Sequence, residues 1–70
     1  MKCVLKTKAN KAKCLELTEM SIEQKQRNEH TYLWYESIRF AREDARALSD
    51  AGIQVQLLKG WDVEGFISLR

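Results

Sequence analysis

The sequence predicts an α+β fold in the order ββαββ: a small antiparallel sheet of two hairpins, with one long amphipathic helix packed on one face. Three observations predict it. A helical apolar period runs through residues 31–52, both flanks alternate apolar and polar residues as strands do, and Ala51-Gly52 supplies a helix stop between the two patterns.

In the central stretch Trp34, Ile38, Ala41, Ala45 and Leu48 recur at intervals of four and three, so a helix carries all of them on one face, widened by Leu33, Phe40 and Ala47. Glu36, Arg39, Arg42, Glu43, Arg46 and Ser49 take the opposite face, where opposite charges three or four residues apart each add a few tenths of a kcal/mol. With Gly52 just past the end, Ile53 falls against Leu48, the contact that accompanies a Schellman cap.

Three starts compete. Ser21-Ile22-Glu23-Gln24 reads as a capping box and begins the helix near Ile22; Asn28 followed by Glu29 is an N-cap; or His30 to Tyr35, aromatic and β-branched, is a strand and the helix begins only at Glu36. The apolar period favours helix over Tyr32 to Tyr35. A start at Ile22 makes a helix about 40 Å long. Its first turns, Glu23 to His30, hold no apolar residue, and a homodimer through the helix is the simplest support for them.

Residues 1–20 read as a basic hairpin. A three-residue loop, Lys8-Ala9-Asn10, puts Cys3, Leu5, Leu15 and Leu17 on one face, with Asn10 in the left-handed position that it tolerates well. This register sends Cys3 and Cys14 to opposite faces, so both are expected as free thiols. Residues 53–70 read as a second hairpin. Ile53, Val55 and Leu57 face inward on its first strand; Ile67 and Leu69 do so on its second, Gly65 to Leu69, which leaves Phe66 on the other face.

Seventy residues imply one domain spanning 1–70, and no apolar run is long enough to cross a bilayer. The expected location is therefore the cytoplasm, without membrane contact. Stand-alone domains of this size are frequent in bacteriophage and other mobile-element genomes, and such an origin is part of the expectation.

Catalytic equipment is missing from the pattern. There is one histidine, His30, and there is neither a glycine-rich phosphate loop nor a nucleophile elbow. Glu43-Asp44 and Asp62/Glu64 read as solvated charges. No paired-ligand spacing joins Cys3, Cys14 and His30, so no metal, no cofactor and no enzymatic activity are expected.

Two surfaces remain for binding. Trp61 and Phe66, with Tyr35 and the helix arginines Arg39, Arg42 and Arg46, have the composition of an interface hot spot. Lys2, Lys6, Lys8, Lys11 and Lys13 stand in the first thirteen residues without an acid, a set able to follow phosphates. The expectation is a non-enzymatic regulatory or inhibitory module that occupies a surface on a larger protein. Nucleic-acid binding through the lysine hairpin is the alternative.

Overall fold

A computed structural model describes residues 1–63, 65 and 66. The chain runs β1 (Cys3–Thr7), α1 (Lys11–Leu17), β2 (Glu23–Arg27), β3 (His30–Tyr35), α2 (Ile38–Asp50), β4 (Val55–Lys59). The strands form one antiparallel sheet in the order β2-β3-β1-β4, with β1 and β3 in the centre. An antiparallel sheet and a long amphipathic helix are as expected; the ββαββ order is not. The path β-α-β-β-α-β with this strand order is the double split-βαβ arrangement of ferredoxin-like domains.

The first departure is α1. Asn10 does not turn a hairpin: its side-chain Oδ1 accepts from the Lys13 backbone N–H at 2.8 Å and caps a short helix. Lys, Ala, Leu and Glu are good helix formers, and the segment needs to bury only Cys14 fully, leaving Leu15 exposed. Both cysteines therefore belong to one core cluster rather than opposite faces, and both are free. The Thr7 hydroxyl lies 3.1 Å from the Cys14 sulfur and donates to the Thr31 carbonyl at 3.1 Å, while the Thr31 hydroxyl donates to the Ala9 carbonyl at 2.6 Å. These bonds satisfy the polar groups where α1 meets the sheet.

The second departure is the 23–35 segment, which is a hairpin and not helix. Arg27 pairs with His30 across a two-residue loop, and Asn28 has φ +56°, the left-handed conformation that Asn accepts more readily than most residues. Thus neither the box at Ser21 nor Asn28 starts a helix. Strand β3 is almost completely buried because both faces of the sheet are covered, and a strand buried on both sides reads as a continuous apolar run. Trp34 thereby leaves the helical stripe. Helix α2 begins after Ser37, whose Oγ accepts from the Arg39 N–H at 3.2 Å, close to the Glu36 start weighed above.

The helix ends where the glycine stop placed it. Gly52, at φ +83°, donates to the Ser49 carbonyl at 2.9 Å and Ile53 to that of Leu48 at 3.0 Å, the two bonds of a Schellman motif. Strand β4 starts two residues later than expected, with Val55 packed against the core and Leu57 39% exposed. Of the expected final strand, Gly65 and Phe66 lie in a turn, and Ile67 to Leu69 fall outside the described residues.

Two cores result. Beneath the helices lie Cys3, Leu5, Leu33, Tyr35, Cys14, Ala41 and Leu48; on the opposite face Val4, Tyr32 and Trp34 are roofed by Trp61, Val63 and Phe66. The helical layer is pinned by a buried carboxylate. Asp44 of α2 accepts the Tyr35 hydroxyl at 2.6 Å and the backbone N–H groups of Met20 and Glu19 at 3.0 and 3.3 Å.

Burial, with the Asp44 carboxylate beside it, drives the Tyr35 hydroxyl pKa far above the usual range. Because the unfolded tyrosine ionises near pH 10, the folded state's hold on that proton stabilises fully below about pH 10 and is lost as pH rises beyond it. Tyr35→Phe is expected to lower unfolding free energy by about 1–3 kcal/mol at neutral pH, since Asp44 loses a buried partner. Urea titrations of both proteins from pH 7 to 11 check this: the gap between them should shrink above pH 10.

Candidate anion-binding sheet face

The uncovered half of the sheet face opposite the helices is the place where exposed chemistry gathers. Side chains alternate along each strand, so the cross-strand register fixes which of them share this face. One row across the sheet reads Lys25, Tyr32, Lys6, Gln56. The next holds Arg27 paired with His30 and then, by continuation of the register, Lys8 and Gln54; the Lys8 N–H donates to the Gln54 carbonyl at 3.1 Å. Neither row contains an acid. Carboxylates flank these rows: Glu23 lies one row further along β2, Glu29 is in the loop that joins Arg27 to His30, and Asp62 is on the chain leaving β4.

Two clefts open on these rows and share Lys6 and Gln56. One, of about 630 Å³, is lined by Lys6, Lys8, His30, Gln54, Gln56 and the turn that ends α2. The other, of about 590 Å³, reaches Arg27, Tyr32, Leu58 and Asp62. Three cations on this side of the sheet, of which Arg27 lines the second cleft, lie over aromatic rings. Lys25 Nζ lies 5.6 Å from the Trp34 ring centre and 5.9 Å from that of Phe66, the Arg27 guanidinium lies 6.0 Å from Phe66, and Lys2 Nζ lies 4.6 Å from the Trp61 ring. The Arg27 guanidinium also rests on Gly65, where an added Cβ would push it aside.

The other half of this face is closed. Trp61 donates its indole N–H to the Tyr35 carbonyl at 2.8 Å, and Trp34 donates to the Trp61 carbonyl at 3.0 Å. Phe66 stands edge-on to Tyr32 and Trp34, with ring centres 5.0 and 5.5 Å apart. Tyr32 and Trp34 point to the sheet face but offer it no stacking surface, because this roof covers them.

The residues expected to bind are thus redistributed. Trp61 is buried at 6% exposure and Tyr35 lies in the helix-side core, so neither presents an exposed hot spot; Phe66 is half-buried as part of the roof. Arg39, Arg42 and Arg46 remain exposed on α2. Of the lysines, Lys2, Lys6 and Lys8 reach the sheet face, whereas Lys11 and Lys13 sit on α1. Lys25, Arg27, His30, Gln54 and Gln56 were not foreseen. The signal was present in the alternation of Glu23-Gln-Lys-Gln-Arg27, which has the period of a strand but no apolar member to announce it.

No protein-family model matches this chain, and no curated protein or solved structure is significantly similar to it.

Neither thiol is equipped as a nucleophile. Burial pushes the Cys3 thiol pKa up, outweighing the nearby N-terminal charge, and Cys14 is fully enclosed. Among the described residues no three His, Cys, Asp or Glu side chains converge as a metal would require, and no helix is long and apolar enough to cross a membrane.

Both tryptophans being enclosed, iodide is expected to quench little of the native protein's fluorescence and much of it in urea. Trp61→Phe removes the N–H that satisfies the Tyr35 carbonyl and should lower unfolding free energy by about 1–3 kcal/mol in denaturant titrations.

Proposed function

We propose that this chain is a small non-enzymatic module that binds the phosphate backbone of nucleic acid along the basic half of its sheet face. The observation that carries the reading is the pair of acid-free rows, which draws Lys6, Lys8, Lys25, Arg27 and His30 together from three strands onto one cleft-bearing surface. The lysines supply charge for phosphates, while Gln54 and Gln56 offer amides that both donate and accept.

Recognition of the backbone, rather than of base faces, follows from the roof over Tyr32 and Trp34. Base stacking needs accessible rings, and here the rings are spent on the second core. The interaction is accordingly salt-dependent and tolerant of sequence. Its biological action is occlusion: a domain this small, seated on a strand, blocks other proteins from the phosphates beneath it.

The test is fluorescence anisotropy with a labelled mixed-sequence single strand and the matching duplex. At about −0.7 per phosphate on a single strand, four neutralised phosphates weaken binding roughly 50-fold between 50 and 200 mM salt. Lys6→Gln and Lys8→Gln should each reduce the slope of log affinity against log salt by about 0.7 on the single strand and about 0.9 on the duplex. Lys11→Gln and Lys13→Gln, on the other layer, should leave it nearly unchanged. Absence of binding at 50 mM salt, or equal loss from both pairs, rejects the assignment.

A further inference from the structure

We infer that the free edge of β4, with the groove between it and α2, is a second and separate docking site, built for an extended acidic segment of a partner protein that adds a strand to the sheet. The hydrogen-bond pattern defines the edge. The Lys8 N–H donates to the Gln54 carbonyl and the Gly60 N–H to the Lys2 carbonyl, which turns the backbone groups of the even-numbered β4 residues inward to β1. The N–H and C=O groups of Val55, Leu57 and Lys59 therefore point away from the sheet, and among the described residues no strand lies beyond them.

Beside this edge is a groove of about 210 Å³. Its floor is apolar, made of Leu5, Ala41, Ala45, Val55 and Leu57, and Leu57 is one of the few large apolar residues left exposed. Arg42 forms its helix-side wall. Arg39 and Arg46 stand three residues before it and four after it on the same exposed stripe of α2, so two further guanidinium groups flank the one that lines the apolar seat.

This combination selects the occupant. An added strand satisfies the outward peptide groups, an apolar side chain fills the groove, and acidic residues two positions either side of it face the arginines. A second copy of this chain fits badly: a two-fold pairing of β4 on β4 brings each arginine stripe toward its own image. The opposite edge, β2, offers no equivalent seat, because Gln24 and Gln26 occupy its helix side and are engaged by Ser21 and the Lys11 N–H. The rows of the basic face lie on the other side of the sheet, and the first of its clefts meets this groove only at Ser49 and Val55.

The probe is a capped heptapeptide, Thr-Glu-Thr-Leu-Thr-Glu-Thr, titrated into isotopically labelled full-length protein and followed by amide chemical shifts and hydrogen exchange. The expected result is saturable shifts at Val55, Leu57, Lys59 and the 41–46 helix segment, with slowed exchange of the three edge amides. Leu57→Gln, Arg42→Glu and a peptide with Lys in place of Glu should each weaken binding at least about tenfold. Shifts confined to Lys6, Lys8 and His30 would mean the peptide acts only as a polyanion on the sheet face, and would overturn the assignment. So would edge shifts that depend on protein concentration without peptide, which would make the occupant a second copy, or no shifts at all.

Discussion

The rest of the structure hangs on one buried carboxylate. Asp44 sits inside an otherwise apolar stripe of α2, and burying a charge is tolerated only when its lone pairs are satisfied. Its partners come from two separate places, the last residue of β3 and the loop that follows α1, and it joins both to the helix that carries it. A helix rotated or shifted by one residue would leave that charge stranded. Hydrophobic burial brings the layers together, and this cluster fixes their alignment. The clefts on the far side of the sheet depend on that alignment, because their lining is set by strand register.

What could be read from the sequence divides along physical lines. The end of α2 was legible because it is local: one glycine and the Leu48 and Ile53 beside it suffice to encode a Schellman motif. The strand after it was legible because it alternates. β3 was hard to read, since a strand covered on both faces loses its alternation, and Trp34 happens to fall in phase with the helix that follows. β2 was hidden for the opposite reason, having no apolar residue at all. In α1, Asn10 suits a turn and a cap equally, and the choice was made by Thr7, Cys14 and Thr31, far apart in sequence.

The candidate site shows the same division. Its lysines on and beside β1 were visible as a charge cluster, but two of the five stay with α1, and the rest of the final surface comes from β2, β3 and the β4 side. The aromatic residues that seemed free to meet a partner are consumed within the chain. A domain this small has only one layer of helices, and without Trp61 and Phe66 the second face of its central strands would lie open to water. Composition alone could not distinguish an aromatic that recognises a partner from one that closes a core.

The placement of β1 has a consequence for how the molecule comes into being. β1 is an inner strand of the sheet, and one of its two neighbours is β4, the last strand among the described residues: Thr7 meets Val55 and Cys3 meets Lys59. The β2-β3 hairpin can close on its own as soon as it is made, at little loop-closure cost. β1 must wait until residues 55–59 have been made before its second edge is covered. On the ribosome, therefore, β1 can join the β2-β3 hairpin first, and its other edge stays open until β4 emerges.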